Sequence, residues 1–489
     1  MLGSQKQSYR VSSKTPYTPT PGWMTSISNS VPVFTGPPTP YAVSGISLDS
    51  SGNIFTTGET IFPTNQYAIQ ITKLNANGSL NWNTYLTPGD LNENSGYDIV
   101  VDSSGNVYVV GTVHRNTGLA RGFVLKYDNN GNVLWQNFYQ TSGVTLNFYS
   151  VDIDSSQNYI YCLGSYQSAS SALTCVVKID SSGNTIWGVD LTGSSIDLVY
   201  PAYQNNLSVT QDGNIYVGGS YVTDSGLSNQ LYWPMVWKLN SSGTTYWKKT
   251  IGNGAIQNPP IVRAKPTPTD SGLALIGPQM LPSDYVPVMS LDQNGNILWQ
   301  KWSENLSAFL STTRGLGLRV DNTGNIYGLQ YDSGDSTQLG LWKCDFLGNL
   351  IWKNYLPNLA PGSSANDTYG KSLALNQTAK TVLIGTVTES DNSGFMGSFV
   401  ANLDAYGTGT GTYQLGSNVT YTLANTQPYQ FYSNLTFTTA NLTITNANAD
   451  ISSGNITSLI LATTGNLTTY TNGTVLTLSN TSVNFGNRR

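Results

Sequence analysis

The stretch VLKYDNNGNVLW, residues 124–135, decides the fold, because close copies of it recur along the chain. The other copies are ITKLNANGSLNW (71–82), VVKIDSSGNTIW (176–187), VWKLNSSGTTYW (236–247), VMSLDQNGNILW (288–299) and LWKCDFLGNLIW (341–352). Each copy ends on a tryptophan, and these are Trp82, Trp135, Trp187, Trp247, Trp299 and Trp352. Their spacings of 53, 52, 60, 52 and 53 residues indicate a repeat architecture.

A second motif precedes each copy, as in ISLDSSGNIFTTG (46–58) and IVVDSSGNVYVVG (99–111). Stretches such as 106–110 are β-branched and aromatic with a period of two, which predicts strands. The D-S-S-G-N segments suit tight hairpin turns, in which Gly supplies the left-handed residue. Each repeat therefore predicts two hairpins, and four antiparallel strands in about 50 residues describe a propeller blade.

Seven repeats predict an all-β chain with a seven-bladed β-propeller, followed by a small β-structured C-terminal domain. The first strands are expected near residues 44, 98, 150, 207, 264, 316 and 371. The seventh repeat, VANLDAYGTGTGTY (400–413), carries Tyr413 in place of the tryptophan. Trp23 lies 59 residues before Trp82, so residues 22–27 are predicted to be the outer strand of the seventh blade. The alternative is that Tyr413 supplies that strand.

The ending D-x-x-G-x-x-x-W, as in 128–135, resembles the SBBP-type and quinoprotein-like β-propeller repeats over residues 41–413. The resemblance implies the propeller fold, while propellers carry many activities. The quinoprotein enzymes imply a dehydrogenase, with T-G-K before the tryptophan and vicinal cysteines beside the cofactor. This chain mostly has S-G-N, and Cys162, Cys175 and Cys344 include no adjacent pair. We therefore expect no cofactor and interpret the repeated tryptophans as inter-blade packing.

Composition limits the function further. Only 10% of the 489 residues are charged and the net charge is -5, which argues against a basic nucleic-acid-binding surface. No apolar run is long enough to span a bilayer, and the first 30 residues predict no secretory signal peptide. His114 is the only histidine and is expected in a solvated loop, and no metal site is predicted.

Lysines recur at one repeat position: Lys73, Lys126, Lys178, Lys238 and Lys343. They are predicted to be structural, with the stem packed between blades and the ammonium bonded to carbonyl or carboxylate oxygens. A ring of ligand-binding lysines is the alternative.

Binding is expected in the long links between hairpins and between blades, which emerge on one face of a propeller. Aromatic residues in these links suit sugar or protein contacts, because flat rings bury area while amide neighbours hydrogen-bond. The candidates are Phe62, Tyr200, Tyr203, Tyr232, Trp233, Tyr285 and Tyr331. Acidic loop residues are scattered, and the sequence does not pair any two of them for glycoside cleavage. No catalytic residue is therefore assigned.

The two ends differ from the propeller segment, 22–413. Residues 1–21 predict an extended N-terminal arm. Residues 414–489 are rich in Asn and Thr, with Asp450 as their only acid. Short alternating strands and the repeated N-L-T predict a β-structured assembly segment that pairs with copies of itself or docks on a neighbour. This segment resembles the Asn/Thr-rich β tails of phage fibre and virion appendage proteins.

These features together predict a non-enzymatic virion structural protein at the virion surface: a phage fibre, spike or capsid decoration. Its propeller head would serve display or host-surface recognition. The expected partners are other virion proteins, further copies through residues 414–489, and a host-surface glycan or protein. The alternatives are an extracellular or cell-surface microbial propeller adhesin and a carbohydrate-active phage depolymerase.

Overall fold

The computed structural model consists of strands and turns. It describes residues 23–27, 43–61, 67–87, 94–115, 118–140, 145–154, 156–167, 172–191, 206–223, 231–251, 261–265, 272–277, 286–303, 314–332, 338–356, 368–376, 381–388, 397–403, 411–415, 419–423, 438–439, 444–446, 453–455, 460–462, 468–471 and 474–477. Over these ranges no helix is long and apolar enough to cross a membrane.

Six blades are each built from four consecutive strands, which follow strand β1 (Trp23–Ile27) along the chain. Blade 1 contains β2 (Val43–Leu48), β3 (Ile54–Ile61), β4 (Tyr67–Leu74) and β5 (Leu80–Thr87). Blade 2 contains β6 (Asn94–Val101), β7 (Val107–Arg115), β8 (Gly118–Tyr127) and β9 (Val133–Gln140). Blade 3 contains β10 (Thr145–Ile153), β11 (Tyr159–Gln167), β12 (Ala172–Asp180) and β13 (Thr185–Leu191).

The next three blades have the same antiparallel order. Blade 4 contains β14 (Leu207–Val209), β15 (Ile215–Thr223), β16 (Leu231–Leu239) and β17 (Thr245–Ile251). Blade 5 contains β18 (Ile261–Ala264), β19 (Leu273–Ile276), β20 (Val286–Leu291) and β21 (Ile297–Ser303). Blade 6 contains β22 (Arg314–Val320), β23 (Ile326–Asp332), β24 (Gln338–Cys344) and β25 (Leu350–Leu356).

A composite sheet joins the two ends of the propeller segment. Its strands β26 (Thr368–Asn376), β27 (Thr381–Thr388) and β28 (Gly397–Leu403) come from the seventh repeat. Its outer strand is β1, in which Trp23 pairs with Asn402. The first strand of each sheet contacts that of the next, and β26 contacts β2, so the sheets form a ring.

The prediction of an all-β propeller is confirmed. The count is corrected: the sequence predicted seven blades, and six blades of continuous chain are present beside the composite sheet. The reason is that the seventh repeat contributes only three strands and takes its fourth from the N-terminal side. Residues 23–27 supply that strand, as predicted. Tyr413 instead lies in a separate hairpin, where it pairs with Tyr421, so the alternative closure is wrong.

The repeated Asp and Asn of the turns have complementary hydrogen-bonding roles. In the turn after β8, Asp128 Oδ1 accepts the N–H groups of Asn130 and Asn132, and Asn132 Nδ2 donates to Asp128 Oδ2 at 2.8 Å. Gly131 has φ 86°, a left-handed conformation that costs glycine nothing. The same pattern recurs at Asp180, Asp292, Asp321 and Asp345. The D-x-x-G-N motif therefore stabilises each turn by hydrogen bonds between its own residues.

Replacement of Asp128 by Asn should reduce stability at neutral pH and have almost no effect in acid. Burial opposes ionisation of Asp128, but bonds from Asn132 and from backbone N–H groups outweigh it and hold its pKa below the ordinary value. A lowered folded-state pKa gives stability that is present above the unfolded pKa and is lost as pH falls through the folded value. Thermal midpoints of both proteins near pH 7 and at about pH 3 measure this. An equal difference at both pH values would contradict the prediction. Asn75 and Asn240 already occupy this turn position, so the variant should fold.

Each repeated tryptophan from Trp82 to Trp299 reaches the turn of the next blade. Trp82 Nε1 donates to Asn129 O at 3.1 Å, and its ring lies under Gly131. A Cβ atom added to Gly131 would lie 3.0 Å from that ring, so this turn needs glycine for space as well as for its φ angle. The next four tryptophans donate in the same way to Ser181, Ser241, Gln293 and Phe346.

The lysines complete this inter-blade latch, by which we mean the Lys and Trp of one blade and the turn carbonyl that they share in the next. Lys73, Lys126, Lys178 and Lys238 donate to the same four carbonyls as Trp82, Trp135, Trp187 and Trp247. Lys343 instead lies 3.9 Å from Asp321. The structural prediction is confirmed for these four lysines, whose ammonium groups bond carbonyl oxygens of the next blade, while Lys343 forms an ion pair within its own blade.

Replacement of Lys126 by Met should destabilise the protein by about 1.5–3 kcal/mol, the usual range for a hydrogen bond to a charged group. Met keeps the apolar stem but cannot bond Ser181 O, which the wild-type ammonium does at 2.9 Å. It also removes the cation that lies 5.1 Å from the centre of the Tyr108 ring. Chemical denaturation measures the loss, with Lys126→Arg as the control that keeps the charge. A loss below ~0.5 kcal/mol would contradict the latch.

Short strands of the C-terminal segment continue the sheets of five blades. After the hairpin β29 (Gly411–Leu415) and β30 (Val419–Leu423), these strands are β31 (Thr438–Thr439), β32 (Ile444–Asn446), β33 (Ser453–Asn455), β34 (Ile460–Ala462), β35 (Thr468–Thr471) and β36 (Thr474–Thr477). Strands β31 to β35 pair antiparallel with the outer strands of blades 5, 4, 3, 2 and 1, in that order. Strand β36 pairs with β35. That this segment forms a domain of its own stays a prediction.

Candidate functional site

The central channel of the propeller contains the candidate site. The innermost strand of each blade has one edge without a ladder partner in its own sheet, so its backbone groups need other partners. A cavity of about 300 Å³ lies among these strands. Four charged residues line it: Asp98 of β6, Asp152 of β10, Arg263 of β18 and Arg319 of β22. Two acids from neighbouring blades thus share one cavity with two bases from another neighbouring pair.

The two acids bond backbone groups of the blade that follows. Asp98 Oδ2 accepts Val151 N at 3.1 Å and Ser150 Oγ at 2.9 Å. Asp152 Oδ2 accepts Val209 N at 2.8 Å. Each carboxylate also accepts the N–H group of the residue after it. The acids therefore connect blades 2, 3 and 4 at the channel.

The same bonding continues around the channel with other residue types. Ser208 Oγ accepts Ala264 N at 3.0 Å and connects blade 4 to blade 5. Arg263 Nη1 donates back to Leu207 O at 2.8 Å, so this connection has a bond in each direction. Arg319 Nη1 donates to Leu318 O of its own strand. Side chains of the inner strands thus bond backbone groups of the neighbouring inner strand, which in a flat sheet would pair with a further strand.

Burial dominates the electrostatics of the channel. It raises the pKa of Asp98 and of Asp152, since desolvation disfavours the charged form, although Arg263 acts in the opposite direction on both. Burial lowers the pKa of Arg263, against the attraction of both acids. Burial and the neighbouring charge of Arg263 lower the pKa of Arg319 to about 9. Of the two bases, Arg263 therefore has the stronger effect on the pKa values of the two acids.

This arrangement is suited to holding blades together rather than to proton transfer. Each carboxylate already accepts bonds from the backbone in fixed geometry, so a reacting group would have to displace them. Arg263 and Arg319 are half-buried and keep part of their surface toward the cavity. Because both guanidinium groups line the cavity, they can hydrogen-bond a small polar molecule there. Among the described residues, no group of three or more His, Cys, Asp or Glu side chains could hold a metal ion.

Three of the seven predicted binding aromatics lie in described strands. The backbone of Tyr232 and Trp233 belongs to strand β16, where they pair with Val222 and Tyr221, and not to a loop. Tyr331 lies in strand β23. The backbone of His114 likewise lies in a strand, β7, and not in a loop. Phe62, Tyr200, Tyr203 and Tyr285 lie outside the described residues.

Sequence reasoning missed the channel residues, although a signal for them exists. Asp152, Arg263 and Arg319 occupy one repeat position, between two apolar residues of the first strand. The corresponding residues of the other repeats are Ser47, Val100, Ser208 and Ala374. A charged residue at a period-two position of an inner strand faces the channel, because its neighbours face the adjacent blades.

No family model matches this chain, and no curated protein matches it. Its fold is similar to that of solved structures at low identity. A Hadza microbial sialidase is 11% identical with a TM-score of 0.42, covering 69% of this chain and 73% of that one. A protein from Lactobacillus plantarum is 13% identical with a TM-score of 0.41, covering 71% and 94%. The tail fibre of a Staphylococcus aureus phage is 13% identical with a TM-score of 0.26, covering 52% and 49%. At these values the likenesses carry no information about activity, and the assignment as a propeller rests on strand topology.

Proposed function

We propose that the protein is a non-enzymatic structural protein of a virion, a fibre, spike or capsid decoration, with the propeller as its rigid head for display or host-surface recognition. The observation that carries the proposal is that charged and aromatic residues of the repeats bond neighbouring blades. Lys73 and Trp82 meet on one carbonyl, and Asp98 and Asp152 bond the next inner strands. These bonds hold neighbouring blades together both at the outer turns and at the central channel. A rigid scaffold of this kind suits the presentation of variable loops.

The C-terminal strands support a place in an assembly. Five of them extend blade sheets by main-chain pairing, so these short strands lie at the outer edges of the blades. The segment has almost no charge, and an uncharged surface has little electrostatic defence against association. Both properties fit a protein whose exterior is meant to be covered by neighbours.

Mass spectrometry of purified particles from the source culture tests this function. We expect the chain to sediment with particles in a density gradient and to be present in a fixed ratio to the capsid protein. Recovery of the chain only from the cell envelope would support the adhesin instead. Absence from particles would overturn the proposal.

The depolymerase alternative has one observation in its favour, because Asp98 and Asp152 share a cavity. We expect no release of reducing sugar from host-surface polysaccharide by the purified protein. The control is Asp98→Asn with Asp152→Asn, checked for folding by circular dichroism. Activity that the wild type shows and the folded variant lacks would make the channel a catalytic site.

A further inference from the structure

One repeat position defines a layer of the central channel, which we call the channel layer. It lies on the first strand of each sheet, two residues before the polar residue that opens the inner turn. Around the ring from blade 5, through the composite sheet to blade 4, its residues are Arg263, Arg319, Ala374, Ser47, Val100, Asp152 and Ser208. The cavity of about 300 Å³ lies at this layer, because its lining includes the first six of these residues.

Short side chains make room in the channel layer. Ala374, Ser47 and Val100 come from three consecutive sheets, so this part of the ring has no long side chain at the channel position. Arg319 stands at one end of the row and Asp152 at the other. A volume of about 300 Å³ is at the lower end of the range for ligand pockets. The cavity therefore has room for a small molecule and not for a polymer segment.

The charges of the cavity are divided unequally around the ring. Arg263 is separated from Asp152 by blade 4 alone, and it opposes the rise in pKa that burial causes at both acids. Arg319 is one blade further from Asp152. After burial, the charge of Arg263 lowers the pKa of Arg319 more than either acid raises it. The cavity thus has a cationic end, formed by Arg319 and Arg263 beside the row of short side chains.

Backbone bonds hold the two guanidinium groups at this end. Arg319 Nη1 donates to Leu318 O of its own strand at 2.8 Å, and Arg263 Nη1 donates across to Leu207 O of blade 4, also at 2.8 Å. A guanidinium has five N–H donors in a planar fork. Two such groups in one cavity can therefore bond an anion bidentately as well as the backbone carbonyls.

The acids of the cavity decide which anion fits. A guanidinium fork matches both carboxylate and phosphate. Asp98 and Asp152 line the same cavity, and like charges repel more strongly where water is scarce. A doubly charged phosphate would meet this repulsion twice over, whereas a carboxylate brings a single negative charge. The apolar Ala374 and Val100 suit a short carbon chain, and Ser47 supplies a hydroxyl group between them.

We propose that the channel layer binds a short aliphatic carboxylate, with its carboxylate group on the guanidinium groups of Arg319 and Arg263 and its carbon chain beside Ala374 and Val100. Such a site goes beyond the proposed function, since it would exist with or without a virion. It also lies near the face on which the inner turns emerge. The long links emerge on the opposite face, so a channel ligand and a host receptor would not compete.

Saturation-transfer difference NMR of the full-length protein tests the site, with sodium lactate as the probe at neutral pH and constant ionic strength. We expect a dissociation constant on the order of 1 mM, as suits so small a molecule. Lactamide has the same shape without the charge and should bind roughly tenfold more weakly or less, which is the effect of one charge-assisted hydrogen bond. Inorganic phosphate should be an equally poor competitor of lactate. No binding of lactate, or equal binding of lactamide or phosphate, would overturn the proposal.

Two variants with opposite expected effects place the bound lactate in the channel. Arg319→Met should weaken binding roughly tenfold or more, since it removes one of the two forks. Arg121→Met is the matched control, because it removes the same charge from β8, a third strand of blade 2, and should leave binding unchanged. Circular dichroism checks the folding of each variant. An Arg319→Met protein that is folded and binds lactate as the wild type does would overturn the proposal.

Asp152→Asn gives the opposite sign and does not depend on the arginine variant. It removes a negative charge from the cavity and keeps an oxygen that can accept Val209 N, which Asp152 Oδ2 accepts at 2.8 Å. We expect lactate to bind severalfold more tightly, because a like charge no longer faces it. Unchanged or weaker binding by the folded variant would contradict an anion held in this cavity.

Discussion

Replacement of Trp82 by Ala should lower the free energy of unfolding by about 3–5 kcal/mol, the usual cost of removing a large buried aromatic side chain. Trp82 is only 7% exposed, although it belongs to an outer strand. Its ring lies 6.4 Å from Tyr127 and 6.1 Å from Phe55, so its loss leaves a cavity between blades 1 and 2. Its Nε1–H also bonds the turn of blade 2. Guanidinium denaturation followed by tyrosine and tryptophan fluorescence measures the effect.

Two further variants identify the origin of the loss. Trp82→Phe keeps an apolar ring and removes the Nε1–H, while Asn129 O retains its bond from Lys73. We expect a cost nearer to ~1 kcal/mol, the value of one hydrogen bond. Leu298→Ala removes a 57% exposed side chain from the same kind of strand and should stay within ~0.5 kcal/mol. If Trp82→Ala cost no more than Leu298→Ala, the tryptophan latch would not stabilise the ring.

Replacement of Arg263 by Met should destabilise the protein by about 3–5 kcal/mol near neutral pH, because it leaves buried charges without their partner. Arg263 is the base that opposes the rise in pKa that burial causes at Asp98 and Asp152. Met also leaves Leu207 O without its bond from Nη1. Arg263→Lys keeps the charge but not the planar fork, so we expect a smaller loss.

The loss at Arg263 should shrink in mild acid. Burial raises the folded-state pKa of Asp98 and Asp152, so the folded protein binds protons at a pH where the unfolded chain has released them. Stability then rises as pH falls toward the unfolded pKa of ~3.9, and more so once Arg263 is absent. Unfolding of both proteins at about pH 7 and pH 4.5 measures this. A loss that is equal at both values would show that packing, and not charge, causes it.

The local interactions could be predicted from the sequence because each repeat places the same residue types at the same positions. The Asp128 and Asn132 positions predicted a turn, and the turn is closed by those two side chains. The lysine position predicted a bond to a carbonyl or carboxylate oxygen, with the stem packed between blades, and Lys126 bonds a carbonyl of the next blade. The position of Trp23 relative to Trp82 located the strand that joins the two ends. Each of these inferences depends on spacing within one or two repeats.

The number of continuous blades and the site did not follow from such spacing. Sequence similarity counts repeats, and only strand pairing shows that the seventh sheet takes β1 from the other end of the propeller segment. The aromatic residues Trp233 and Tyr331 were expected in loops, but hydrogen-bonding extends their strands beyond the apolar pattern. A long strand with polar or aromatic ends has the same local sequence as a strand followed by a loop.

The sequence by itself determined the four-stranded repeat, its turns and the contact of its lysines with neighbouring blades, because these depend on residues at fixed separations in a repeating unit. Only the tertiary structure decided the channel, where Asp98, Asp152, Arg263 and Arg319 meet from four blades. Closure of the ring brings together residues more than 200 positions apart, and no local pattern encodes that distance. The same holds for the C-terminal strands β31 to β35, since their pairing with the outer strands of five blades depends on where the closed ring places those strands.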